Sequence, residues 1–202
     1  MIPLWVKIAY TLFVVIIVAV YAVKYSPGNF LWFSDIGLLA TVPALWFESS
    51  LLASMMSVGL LLPEALWNAS FFWQLLTGKR VSGLTDYMFE PEKPLYLRAL
   101  SLFHVFLPVL LLWMIARLGY APGAWIAQTV LALVVLPLSF WLTDPKENVN
   151  WVFGPGGRPQ KRLPPLLYLG LLLIGFPALV YLPTHLLLQL LSEALKFPPA
   201  TG

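Results

Sequence analysis

His104 is the residue from which a chemical reading of this chain starts. It follows Ser101 by three positions and Arg98 by six, so on a helix the three form one polar stripe. A hydroxyl three residues before an imidazole lies near enough to be activated by it as a nucleophile. Ser57, Glu64 and Asn68, spaced by seven and four, make a second stripe. Ser34, Gly37 and Thr41 make a third, with Asp35 beside it. The chemistry this set would perform is acyl transfer or ester hydrolysis. His104 would be the general base, Asp35 or Asn68 its orienting group, and Ser101 or Ser34 the hydroxyl. Ser34, Glu64, Arg98 and Asn150 are candidate substrate contacts. The competing reading is a hydrogen-bonded network that joins helices and does no chemistry.

These groups sit in an apolar chain. Of 202 residues, 60% are hydrophobic and 10% charged; mean hydropathy is +0.83 and net charge +3. Soluble domains carry roughly 25% charged residues. That shortfall excludes a soluble enzyme and a disordered chain, and the weak, dispersed charge excludes a nucleic-acid-binding domain. There is no cysteine, so thiolate catalysis, disulfides, iron–sulfur clusters and zinc–thiolate sites are excluded. Neither a Gly-rich phosphate loop, a G-x-S-x-G elbow nor an H-E-x-x-H pattern occurs. No cofactor or metal is expected, and the implied partner is membrane lipid. Ionisable groups are expensive in hydrocarbon, so those present should face the bundle interior.

A spanning helix needs about 20 apolar residues. Six segments meet this: 2–23, 30–47, 51–76, 95–118, 121–142 and 166–191. The expected fold is an all-α polytopic transmembrane bundle of six helices, or seven if the third segment splits at Pro63. Met1–Val23 reads as a retained first helix, since its apolar run exceeds that of a cleaved signal peptide. Proline at 177 and 183 should bend the last helix. Loops 77–94 and 143–165 then share one side with nine cations against three on the other, which makes that side cytoplasmic. The expected location is a bacterial inner membrane. By helical rise, Asp35, Asn68 and His104 lie ~8, ~12 and ~13 Å from the cytoplasmic helix ends, so they can meet at one depth. His185 is ~15 Å from His104 in depth, too far for two imidazoles on one haem iron, and reads as an interfacial residue. Trp32, Trp46, Trp73, Trp113, Trp141 and Trp151 fall near helix ends and read as interface anchors. The amide- and turn-rich segment 143–155 is either a lid over the polar interior or a plain hairpin.

The stretches Phe30–Ile36, Leu62–Asn68, Ser101–His104 and Glu147–Pro155 resemble a bacterial family of multi-pass proteins known only as "membrane-associated protein". The stretch Phe30–Asp35, and His104 with Pro108, are similar to the Thr-bearing and His-bearing segments of the androgen-induced integral membrane hydrolases of fatty-acid esters. The second resemblance implies a shared bundle and an intramembrane esterase using His104. Trp32 stands where that family's nucleophilic Thr falls, so Ser34 or Ser101 would have to supply the hydroxyl.

Overall fold

The computed structural model describes residues 1–81, 83–156 and 158–200, and among them it contains helices and no strand. The helices are α1 (Leu4–Lys24), α2 (Phe33–Trp46), α3 (Ser50–Thr77), α4 (Leu95–Leu100), α5 (Phe103–Leu118), α6 (Ala124–Leu142), α7 (Pro165–Gly175) and α8 (Leu182–Ala194). α4 with α5 makes one crossing of 24 residues, and α7 with α8 makes one of 30. Six crossings result. Five are long and apolar enough to span a membrane, while α2, at 14 residues, is about 21 Å long.

Each boundary has a local cause. The run Leu4–Lys24 contains neither Gly nor Pro and closes on Lys24, a cation suited to a helix C-terminus. Ser49 caps α3, its hydroxyl accepting from the Leu52 N–H at 3.3 Å. Gly78 ends α3 at φ +69°, a left-handed conformation that favours glycine. Pro63 lies inside α3 without dividing it, which settles the count at six rather than seven. The expected bend at Pro177 is a single wide turn over Phe176–Tyr181, where five-residue hydrogen bonding relieves the ladder. The second helix starts at Phe33 rather than at residue 30, because Pro27–Leu31 winds into a 3-10 turn.

α3 is the central helix: it packs on α2, α5, α6 and α8. Over half (56%) of its most apolar stretch is buried, against 22% for α1. Leu38, Leu45, Leu107 and Met114 fill the core between α1, α2, α3 and α5. Val58, Leu136, Tyr181 and Leu188 fill a second core on its other side. The outward faces stay apolar, as at Val130, Val134, Leu187 and Leu190, which suits lipid contact.

Two polar contacts fix the ends. At the end bearing both termini, Glu48 sits at φ +49° between α2 and α3. It accepts from Lys7 Nζ at 2.8 Å and from the Ile2 N–H at 3.0 Å. At the end bearing the long loops, Asn150 joins three segments. Its Oδ1 accepts from the Phe33 N–H at 3.0 Å, and its Nδ2 donates to the Leu31 carbonyl at 2.7 Å and to Ser139 Oγ at 3.0 Å. Asn150 therefore caps α2 from a loop 117 residues later, in place of a local cap. It is buried within this joint, where the sequence placed a candidate substrate contact. Gly28 lets the 3-10 turn lie against the same loop, since a Cβ there would stand 2.8 Å from Thr143 Cγ2.

Asn150→Leu leaves a backbone N–H and a carbonyl unpaired in a buried joint; a loss of about 2–4 kcal/mol is expected, read as a fall in the melting temperature of the purified protein. The hydrogen bond from Lys7, reinforced by the Ile2 N–H, holds the Glu48 carboxyl below the usual carboxylate range. Its stabilisation is complete above the ordinary value near pH ~4.3 and is lost as pH falls through the lowered one. The melting-temperature gap between the parent and Glu48→Gln should therefore close on acidification, and Lys7→Gln should remove most of that pH dependence.

Candidate functional site

The site forms where α3 crosses the junction of α4 and α5. The junction at Ser101–Leu102 interrupts that crossing and places His104 in the first turn of α5. Four residues after His104 stands Pro108, which has no N–H, so the His104 carbonyl lacks its helical donor. Asn68 of α3 replaces it, with Nδ2 donating to the His104 carbonyl at 2.7 Å and to its own Glu64 carbonyl at 2.8 Å. A side chain on one helix thus repairs the proline gap in another.

One turn before Asn68, Glu64 meets the imidazole. His104 Nδ1 lies 2.9 and 2.8 Å from the two carboxylate oxygens. The Glu64 side chain is 4% exposed and that of His104 is 14% exposed. The Trp67 ring stacks on the imidazole at 4.6 Å and the Phe103 ring at 4.1 Å. With the carboxylate ionised, Nδ1 carries the proton and donates it, which leaves the Nε2 lone pair as the base. Nε2 takes no hydrogen bond among the described residues.

Asp35 is buried and lies within electrostatic reach of His104 and Glu64. Its Oδ2 accepts from Asn29 Nδ2 at 3.4 Å, and its Oδ1 has no partner among the described residues. Tyr21 brings a phenol to Ser101 Oγ at 3.3 Å, and the Ser101 hydroxyl also bonds the Leu97 carbonyl at 3.2 Å. Tyr87 approaches from the 78–94 loop against Ser101 and Trp67; its low-dielectric surroundings push its phenol above the usual value, with those hydrogen bonds opposing. Among the described residues no three His, Cys, Asp or Glu side chains gather as a metal-binding group.

The structure therefore brings Glu64, Asn68 and His104 together, with Asp35 within electrostatic reach, and changes their parts. The orienting group on the ring is Glu64, not Asp35 or Asn68. Asn68 is spent on two carbonyls and does not reach the ring. Ser101 bonds Tyr21 instead of His104, because the broken helix ends the regular spacing on which their pairing was expected. Arg98 stands apart, donating from Nη1 to the Met88 carbonyl at 3.2 Å. Ser34 is half-buried on α2. His185 is buried at the termini end of the bundle, with Nδ1 2.6 Å from Tyr120 Oη. Segment 148–156 is closed on itself: Asn148 Nδ2 donates to the Gly154 and Gly156 carbonyls, and its Oδ1 accepts from the Phe153 N–H. Trp67 was legible as a member of the Glu64–Asn68 face; Tyr21 and Tyr87 carried no comparable spacing signal.

No protein-family model, curated protein or solved structure matches this chain.

Removing the donor that satisfies a buried carboxylate is costlier than removing carboxylate and donor together. His104→Ala should cost about 3–5 kcal/mol by leaving the Glu64 carboxylate buried alone. The double variant Glu64→Gln/His104→Ala should be the more stable of the two in thermal melts, against simple addition of the two losses.

Proposed function

We propose that this protein is a lipid-acting enzyme of a bacterial inner membrane, a hydrolase or acyl transferase, with His104 as general base. The observation that carries the reading is the approach of both Glu64 oxygens to Nδ1. A buried carboxylate on Nδ1 fixes the tautomer and stabilises the imidazolium that forms when Nε2 accepts a proton. The proton would come from a water or from the hydroxyl of an acceptor, since the Ser101 hydroxyl is engaged with Tyr21 and the Leu97 carbonyl. Water attacking the ester carbonyl gives hydrolysis and an acceptor hydroxyl attacking the same carbon gives acyl transfer; in both the ester C–O bond breaks and the imidazolium returns its proton from Nε2 to the departing alcohol. Asp35, with one free carboxylate oxygen, stands ready to feel the charge that develops on the ring. The likeness to the fatty-acid-ester hydrolases supports the same part for His104, with a water or acceptor hydroxyl in place of a protein nucleophile and Glu64 orienting the ring. Nine of the twelve cations at the loop end support a cytoplasmic placement of that end.

A second reading is a non-enzymatic lipid-binding protein or a subunit of a larger complex. It is favoured by the engagement of Asn68 and Ser101 in bonds that hold helices together.

In membranes where the parent protein turns over a lipid ester, His104→Gln should lower turnover about 10²–10⁴-fold, and Glu64→Gln less. The comparison is made at equal amounts of folded protein by thermal melt. Unchanged turnover in a folded His104→Gln variant removes the catalytic reading and leaves the second one.

A further inference from the structure

The seam between α1 and α2 carries two hollows in line. At the loop end, a cavity of about 170 Å³ is lined by Tyr25, Ser26, Asn29, Trp32, Glu147 and Val149. Farther along, an apolar groove of about 490 Å³ runs between Thr11, Val15, Val18 and Ala19 on α1 and Leu39 and Pro43 on α2. Positions 11, 15, 18 and 22 form one stripe of α1, which leads to Tyr25 just past its end. Positions 43, 39, 36 and 32 form one stripe that runs down α2 to the residue before it. Only Ala22, which is small, and Ile36 separate groove from cavity on those stripes.

The cavity has the chemistry of a cation site. Glu147 is its one charged lining residue. Its Oε2 accepts from Ser26 Oγ at 3.0 Å, and its Oε1 takes no hydrogen bond among the described residues. Two aromatic rings, Tyr25 and Trp32, complete the wall, and aromatic faces beside a carboxylate are suited to an ammonium. A cation stands near one lining residue of the cavity: Lys93 Nζ lies 5.2 Å from the Tyr25 ring and 4.5 Å from that of Tyr87. An ammonium held by Glu147 with an anion turned toward Lys93 is the charge pattern of a zwitterionic headgroup. The groove offers the matching tail site. From Tyr25 to Thr11 the helix rises about 21 Å, more than the ~15 Å of hydrocarbon that one leaflet supplies.

We propose that this seam binds one phospholipid with an amine headgroup, its ammonium against Glu147, Tyr25 and Trp32 and one acyl chain in the groove between α1 and α2. The lipid belongs to the leaflet at the loop end. The site is distinct from the His104 pocket and does not rest on its chemistry.

The test uses the full chain purified in detergent, with binding read by native mass spectrometry. The probes are phosphatidylethanolamine, phosphatidylglycerol with the same chains, and glycerophosphoethanolamine, which has the headgroup alone. The parent should prefer phosphatidylethanolamine to phosphatidylglycerol by about tenfold and bind the chainless headgroup far more weakly. Glu147→Gln should erase the preference, while Lys146→Gln, next to it, should keep it. Ala19→Trp, which fills the groove, should weaken both lipids alike. Equal binding of the two lipids by the parent, or a preference that survives in Glu147→Gln, overturns the headgroup assignment. A chainless headgroup that binds as tightly as the lipid, or unchanged lipid binding in Ala19→Trp, overturns the groove.

Discussion

Glu64 carries a carboxylate into an apolar bundle, and the surrounding architecture is arranged to receive it. An unpaired carboxylate there would cost several kcal/mol. The imidazole of His104 answers that cost with two short contacts, and Trp67 and Phe103 hold the ring in line. For the ring to arrive, the fourth crossing must break near Ser101 and begin again. α3 must also run unbroken past Pro63, so that Glu64, Trp67 and Asn68 present one face. Pairing a buried charge thus determines where one helix may break and where another may not.

The same demand explains the other polar side chains. A proline inside a helix frees a carbonyl, and in hydrocarbon either a local change of winding, as at Pro177, or a neighbouring side chain must satisfy it. Asn68 does so for His104. Asn150 serves the start of α2, which has no capping side chain of its own. Amides suit these tasks, because they bring donors and an acceptor without a charge. Asp35, Gln128 and Tyr181 depart from this: each buries a side-chain oxygen with no partner among the described residues, and Asp35 alone of the three is a carboxylate, within electrostatic reach of His104.

Five of the six passes were legible because length and hydropathy alone specify them, and the loops because Gly, Pro and charge cluster there; the second came out as a 14-residue helix, shorter than its apolar run. The meeting of Asn68 with the His104 turn followed from depth arithmetic, which needs only a helical rise. The pairing at that meeting did not. Periodicity places Glu64 and Asn68 on one face but not the crossing point that decides which of them meets the ring. The relation of Ser101 to His104 was misread, because spacing rules presuppose a continuous helix and this one breaks between them. Asn150 looked available in a loop rich in amides; its burial depends on two segments more than a hundred residues earlier. Depth alone places His185 near a helix end, and only the fold brings Tyr120 to cover it.

The Asn150 joint bears on biogenesis. The first turn of α2 receives its acceptor and donor from a residue that leaves the ribosome 117 positions after Phe33. During most of synthesis the amino-terminal hairpin therefore waits with open polar groups at the membrane surface, where water can serve them. Only after the fifth crossing is inserted can the joint close and draw that end inward, so the last third of the chain completes the first.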